Sequence, residues 1–166
     1  MWIRTETQDD HDAIRALLRA AFTDVPGAGR IEVDFVDALR ESGDLKLSLV
    51  ADIDGRIAGV VVFSPVDIGD GTPHWYGLGP VAVMPQDQRH GVGGALIRAG
   101  LAELAERGAA GCVVLGEPDY YGRFGFRADP RLRYGDVPAQ YFQALAFNDT
   151  VPQGEVRYHA AFSAAE

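Results

Sequence analysis

The hydrophobic pattern changes period several times along the chain, and each stretch predicts an element. Trp2 to Thr7 alternates weakly and predicts a first strand. Asp9 or Asp10 is a suitable N-cap for the helix that follows, in which Ile14, Leu17, Leu18, Ala21 and Phe22 recur at helical spacing. Pro26-Gly27-Ala28-Gly29 predicts a loop. A second helix is expected from Arg30 to Ser42, with Ile31, Phe35, Val36 and Leu39 on one face and Gly43 as its stop. The period then shortens. Leu47 to Ile53, Arg56 to Ile68 and His74 to Met84 read as three strands joined at Asp54-Gly55 and Asp70-Gly71, so an antiparallel meander is expected. Pro65 marks an edge or bulge, and Gly77, Gly79 and Pro80 interrupt the third strand.

From about Gly91 to Arg107 the period is helical again, with Val92, Leu96, Ile97, Leu101 and Leu104 on one broad face. Gly100 lies within that face and would allow a close approach to a sheet. Cys112 to Leu115 reads as a short buried strand. A helix between two strands implies a right-handed crossover and a parallel pair. Tyr141 to Phe147 is strand or helix, and Glu155 to Phe162 reads as a final strand. The expected fold is one mixed sheet with flanking helices, an α/β or α+β single domain over residues 1–166, a length suited to one domain.

Composition narrows the function classes. With 47% hydrophobic and 23% charged residues the chain resembles ordinary soluble proteins. No apolar run approaches the ~20 residues of a membrane span. The N-terminus lacks the basic-then-apolar pattern of a signal peptide, so a cytoplasmic location is expected, and neither membrane nor nucleic acid is expected as a partner. Cys112 is the single cysteine, so no internal disulfide can form, in keeping with a reducing compartment. The net charge of −9 disfavours bulk nucleic-acid binding. The charge is uneven, because residues 88–133 hold seven Arg against five acids while the remainder holds eight basic groups against nineteen acids. An anion could sit in the first region and a cation in the second; the plainer alternative is solvated, charged faces. His11, His74, His90 and His159 are scattered, and no Cys/His cluster has zinc spacing, so no metal is expected. The motifs G-x-x-x-x-G-K-[ST], H-E-x-x-H and G-x-S-x-G are absent.

The strongest chemical signal is the run from Val81 through Gln88-Arg89-His90-Gly91-Val92-Gly93-Gly94 to Leu96. A strand leads into a glycine-rich turn that opens a helix. The first helical N–H groups have no partner inside the helix and, with the helix dipole, favour a phosphate. Glycines let the ligand approach the backbone, and Arg89 adds charge. The plainer alternative is a tight turn with close helix packing. A dinucleotide fingerprint fails, because Leu96 occupies its last glycine position, although Glu117 falls roughly where a ribose-binding acid belongs.

The spacing Gln88-x-x-Gly91-x-Gly93 resembles the acyl-CoA pyrophosphate loop of the GNAT superfamily of N-acetyltransferases. Leu78 to Pro85 is similar to that superfamily's central strand. Pro118-Asp119-Tyr120-Tyr121-Gly122-Arg123-Phe124-Gly125-Phe126 resembles the YY-x-RFGF segment of a bacterial subgroup. The resemblance covers about residues 78–126 in motif and the order of elements from the first strand. It implies a parallel central pair splayed to admit acyl-CoA, with backbone groups at Val81 and Val83 meeting the pantetheine arm. The N–H groups of Arg89, His90, Gly91, Val92, Gly93 and Gly94, entered through Gln88, would hold the pyrophosphate. Transfer would pass directly from thioester to amine with no protein nucleophile, leaving Cys112 as a small buried hydrophobe. Tyr121 matches the tyrosine that protonates the leaving sulfur, or it packs in an aromatic core with Tyr120, Phe124 and Phe126. Relatives place an acid on the central strand, yet His74 to Met84 contains none. Glu117 is therefore the candidate base, ahead of His74 and Tyr76; its alternative is an acid favourable to a helix N-terminus. The segment before Tyr121 also departs from the family, since Gly116-Glu117-Pro118 shortens the helix expected there.

The resemblance places the acceptor amine among roughly Phe22 to Phe35 and residues after Tyr134. Asp24, Glu32 and Asp34 make the first stretch acidic, suiting a cationic amine or a solvated helix face. The expected function is thus acetyl transfer from acetyl-CoA to a primary amine of a small molecule or peptide. Two rivals are a non-catalytic acyl-CoA-binding module on the same fold and a nucleotide-binding oxidoreductase. Paired C-terminal strands offer a surface for a homodimer.

Overall fold

The structure, a computed structural model, describes residues 1–22 and 28–165. In chain order the elements are β1 (Trp2–Thr5), α1 (His11–Ala21), α2 (Ala28–Ser42), β2 (Leu47–Ile53), β3 (Arg56–Pro65), β4 (Asp67–Ile68), β5 (Trp75–Val83) and α3 (Val92–Glu106). They continue with β6 (Gly111–Leu115), α4 (Pro118–Tyr121), β7 (Arg127–Ala128), β8 (Leu132–Arg133), β9 (Phe142–Ala146), β10 (Gly154–Arg157) and α5 (Ala160–Ala165). A seven-stranded sheet runs β1-β2-β3-β5-β6-β9-β7, and a small second sheet runs β4-β10-β8. In the large sheet only β5 and β6 are parallel. The meander β2-β3-β5 and the α3 crossover follow the sequence expectation.

The central strands read as nearly continuous apolar runs because both faces of the sheet are covered. Val61 and Phe63 point to one side with Leu96, Ile97, Leu101 and Leu104 of α3. Val60 and Val62 point to the other, with Ile14, Leu17 and Leu18 of α1 and Val33, Val36 and Leu39 of α2. Gly100 is needed where α3 crosses β3, since a Cβ there would run into the ring of Phe63. A third cluster, including Trp75, Val113, Phe142 and Val156, joins the two sheets.

Several expectations are corrected. The final strand over Glu155 to Phe162 is β10 followed by a helix, α5; Ala161 packs into the α1/α2 cluster and Phe162 lies at its edge, so burial overrides the short alternation. Arg56 to Ile68 is not one strand. It breaks after Pro65, and Asp67–Ile68 pairs with β10 in the other sheet. Of the loop expected at residues 26–29, Ala28 and Gly29 begin α2 instead, while Pro26 and Gly27 lie outside the described residues. Residues 8–10 form a short 3-10 turn before α1, in which Asp10 accepts from the Thr7 N–H at 2.7 Å and from Arg4 at 2.7 and 3.0 Å. The undecided stretch Tyr141 to Phe147 is β9.

Candidate active site

The site begins where β5 and β6 part. Their pairing covers Trp75↔Gly111, Tyr76↔Cys112 and Gly77↔Val113 and goes no further. Beyond that point Val114 and Leu115 pair only with β9, while Leu78 to Val83 pair only with β3. The cause is local to the sequence. Between Leu78↔Phe63 and Val81↔Val61 two residues of β5, Gly79 and Pro80, oppose one of β3, Val62, and this is a bulge. A bulge bends its strand and strengthens its twist. Pro80 also has no N–H to offer a neighbour.

The result is a free backbone edge inside the sheet. Met84 donates to Ala58 O at 2.8 Å, so even-numbered positions here face β3 and Val81 and Val83 present their backbone groups to the open side. From Gly79 to Val83 the edge runs about 13 Å by strand rise. Each end opens into a cavity, one on the α3 face and one on the α2 face.

The cavity on the α3 face has a volume of about 410 Å³ and is lined by Val83, Gln88, Arg89, Gly91 to Gly94, Arg98, Tyr120 and Arg123, among others. The N-cap of α3 is Gly91 at φ 82°, a left-handed conformation that glycine adopts without a Cβ penalty. No side chain caps this helix end and its first turn holds no acid. The N–H groups of Val92, Gly93 and Gly94 therefore have no intrahelical acceptor. A Cβ on Gly93 would sit 3.1 Å from the Tyr120 hydroxyl, and one on Gly94 3.2 Å from an Arg98 nitrogen, so both glycines keep the cradle open. Gln88 donates from Nε2 to Val83 O at 2.9 Å, tying the loop to the end of β5. Asp87 would oppose an anion here, but Arg56 pairs with both of its oxygens and holds its carboxyl below the usual range.

Three guanidinium groups surround this cavity. Arg98 lies 4.9 Å above the Phe124 ring and Arg123 lies 4.5 Å above the Tyr120 ring. Neither these two nor Arg89 meets a carboxylate among the described residues. The sequence reading included Arg89 and missed Arg98, Arg123 and Tyr120. Arg98 could have been found, since it stands one helical turn beyond Gly94 on the face opened by the loop. Arg123 and Tyr120 reach the site only through tertiary packing. His90 is exposed, with Nδ1 3.4 Å from Asp87 O, and does not line the cavity. Val81 lies along the free edge between the two cavities.

The cavity on the α2 face is smaller, about 150 Å³, and mostly apolar. Gly77 to Pro80, Leu115, Phe35, Tyr158 and Phe162 line it, and its polar walls include Glu32 and Ser64. Phe162 reaches it because residues 160–165 form α5 rather than a strand. Burial raises the Glu32 carboxyl above its ordinary value. Asp34 is exposed and pairs with Arg30 at 3.4 Å, and Asp24 lies outside the described residues. Of the acids expected to face an acceptor, Glu32 is the one seen turning inward.

Tyr121 stands at the end of α4 and, like Glu117, lines neither cavity. Its ring packs against the backbone of Gly116, where a Cβ would collide with it. The Gly116 turn is held by Gln143, 2% exposed, whose Nε2 donates to Gly116 O at 3.1 Å. Ring centroids of Tyr120 and Phe126 lie 5.0 and 6.0 Å away, so the aromatic packing expected from sequence is present. Burial, with Tyr120 and Cys112 beside it, pushes the Tyr121 phenol up to about 12. Tyr158, which the sequence reading missed, is likewise pushed up by burial, with Cys112, Tyr134 and Tyr121 adding to the shift. Cys112 is fully buried, which drives its thiol pKa upward and keeps it protonated. Glu117 is exposed at the start of α4, its carbonyl accepting from Tyr120 and Tyr121 N–H groups at 3.2 and 3.0 Å, and it lines neither cavity. Tyr76 is half-buried in the parallel pair and His74 precedes it.

Residues 2–128 match the sequence family described as the acetyltransferase (GNAT) domain. The chain belongs to the GNAT family. Across the whole GNAT chain the similarity is high. An uncharacterized N-acetyltransferase, YhbS, of Escherichia coli (strain K12) is 36% identical over 98% of this chain and 99% of its own. A GNAT family acetyltransferase from Brucella melitensis, solved in complex with acetyl-CoA, is 50% identical with a TM-score of 0.86, covering 97% of each chain. The YhbS structure from Escherichia coli in complex with CoA is 37% identical with a TM-score of 0.89, covering 98% of this chain and 91% of that one. This GNAT protein is therefore an N-acetyltransferase, and its mixed sheet with flanking helices is the family fold. The oxidoreductase and non-catalytic alternatives are not favoured.

Proposed function

We propose that this N-acetyltransferase moves acetyl from acetyl-CoA directly to a primary amine, using the fork between β5 and β6 as one catalytic unit within residues 1–166. Acetyl-CoA is the acyl donor; it supplies the activated thioester, and the chain supplies the positioning. The observation that carries the reading is the uncapped α3 N-terminus with Arg89, Arg98 and Arg123 around it, set at one end of a free strand edge. The N–H groups of Val92 to Gly94 and the guanidinium groups suit a pyrophosphate. The backbone of Val81 and Val83 offers strand-like hydrogen bonds to an amide-bearing arm. The bulge at Gly79-Pro80 brings the reacting end beside the smaller cavity.

Proton transfer completes the chemistry. An alkylammonium of pKa ~10.4 must lose a proton before it attacks, and a thiolate leaving group of pKa ~8.5 gains from a nearby acid. Tyr121, held protonated at neutral pH by burial, is the proposed acid. Glu117 and Glu32 are the carboxylates available to take the amine's proton. Glu32 is favoured by lining a cavity at the fork. A cytoplasmic setting agrees with the lone, buried thiol of Cys112. The direct test is calorimetric titration with acetyl-CoA, with NADH and ATP as controls, followed by an amine screen read as thiol release. Saturable binding of acetyl-CoA with amine-dependent thiol release supports the reading. Binding of NADH alone, or acetyl-CoA binding without turnover of any amine, overturns it.

A further inference from the structure

The smaller cavity has features that an acyl-carrying arm does not require. Its lining reaches from the fork to α2 and α5, away from the glycine-rich loop. Its walls are mostly apolar and include three aromatic rings: Phe35 meets Phe162 edge-on at 5.5 Å, and Phe162 stacks on Tyr158 at 5.3 Å. Glu32 stands one turn before Phe35 on the same face of α2 and contributes a carboxylate to this lining. It has no hydrogen-bond or ion-pair partner among the described residues. Its neighbours Arg30 and Asp34 are exposed and bind each other instead. A half-buried carboxylate without a partner is costly unless something cationic or a proton joins it. The Glu32 carboxyl responds as expected, its pKa raised by burial.

We propose that Glu32 receives the acceptor's amino group and takes its proton, and that the acceptor is a primary amine borne on a single ring-sized apolar group. This rests on the acetyltransferase reading above and adds the substrate class and the base. The size follows from the cavity: an apolar space of about 150 Å³ accommodates one benzene-sized ring. The charge follows from Glu32, which would neutralise one ammonium and leave the further charges of a polyamine unmatched against Phe35, Leu78, Leu115 and Phe162. In the step itself the nitrogen lone pair forms the new bond to the thioester carbon. The carbon–sulfur bond breaks with its electron pair on sulfur. The ammonium gives one proton to Glu32 before attack, and Glu32 passes it to solvent. The second nitrogen proton follows to Glu32 after the new bond forms. Sulfur takes a proton from Tyr121 that solvent restores, so one proton is released per acetyl transferred.

The test uses the whole chain with phenethylamine, spermidine and Nα-acetyl-lysine amide as probes. Acetyl-CoA affinity is measured for the wild type, Glu32→Gln, Glu32→Asp and Glu117→Gln before any rate is compared. Phenethylamine is expected to show kcat/KM at least about tenfold above the other two amines. Glu32→Gln should lower kcat/KM for phenethylamine about 100-fold with acetyl-CoA affinity unchanged, Glu32→Asp should recover part of that loss, and Glu117→Gln should cost less than Glu32→Gln. A Glu32→Gln enzyme as fast as wild type, a Glu117→Gln enzyme that loses the rate instead, or preference for spermidine overturns the inference. So does wild-type protein that binds acetyl-CoA yet neither binds nor turns over millimolar phenethylamine. Those results leave the acetyltransferase reading standing, whereas wild-type protein that fails to bind acetyl-CoA removes both.

Discussion

Replacing Arg98 and Arg123 together by glutamine separates a phosphate cradle from a helix end that merely packs well. Both guanidiniums lie over aromatic rings, at 4.9 and 4.5 Å, which holds them near the uncapped N-terminus of α3. Glutamine keeps part of each side-chain stem over its ring and removes the charge. Both residues are exposed, so their attraction for a phosphate is screened. A unit pair at 4 Å is worth about 1 kcal/mol in bulk water and about 4 kcal/mol near a protein surface. For these positions about 1 kcal/mol each is the appropriate scale. The pair should then cost about 2 kcal/mol, or roughly 30-fold in Kd for CoA. Calorimetry at low salt measures this directly. Repeating it near 0.5 M salt should shrink the difference, because the Debye length falls well below the ~8 Å of physiological salt. Lysine at the same positions should restore much of the affinity, though not the flat stacking. A double glutamine variant that binds CoA within about twofold of wild type at low salt would refute the electrostatic account of this cavity.

Other consequences can be measured separately. Tyr121→Phe should lower kcat about 100-fold or more while leaving acetyl-CoA affinity intact, and Tyr158→Phe is the comparison that separates the two phenols. Because burial places the Tyr121 phenol near 12, the acid form persists as pH rises, so kcat should not fall through loss of this proton below about pH 10. A falling limb near pH 8 that Tyr121→Phe abolishes would contradict this. Gly100→Ala forces a methyl into the buried Phe63 ring and should cost about 1–3 kcal/mol, seen as a Tm lower by several degrees. An unchanged Tm would show that α3 can shift away from β3. Asp10 is 7% exposed and held to about 2, chiefly by its hydrogen bonds with Arg4. A lowered folded-state value means stability present above the unfolded value near 4 and lost as pH falls toward 2. Asp10→Asn should therefore be less stable than wild type at pH 7 by up to about 2 kcal/mol in urea titrations, and the gap should close by pH 2. A gap that stays constant with pH would show that the ion pair contributes nothing.

Local information accounts for much of the fold and half of the site. Leu47–Ile53 was bounded by its own apolar run and the Asp54-Gly55 turn, both of which act within a few residues. The α3 helix and its glycine-rich entry were readable for the same reason: helix-end chemistry is a property of consecutive backbone groups. The last element was misread because Glu155 to Phe162 carries too little local pattern, and the burial of Ala161 and Phe162 against α2 decided for helix. Arg56 to Ile68 was misread because pairing with a strand some ninety residues later is invisible to local alternation.

The amino-acid sequence by itself determined the meander, the parallel crossover, the glycine-rich loop from Gln88 to Gly94 and the family resemblance that names the reaction. Each depends on spacing along the chain, and spacing survives without coordinates. Tertiary structure alone decided which side chains line the two cavities at the fork. The bulge at Gly79-Pro80 parts β5 from β6, packing carries Arg123 and Tyr120 to the α3 cradle, and α5 closes Phe162 over the cavity that Glu32 enters. Asp34 and Glu32 are two residues apart, and helical geometry sends one to solvent and the other to the face of Phe35, where it lines the cavity at the fork. Which acid does chemistry is set by the partner surface each one meets, and that surface exists only once α2, β5 and α5 have packed together.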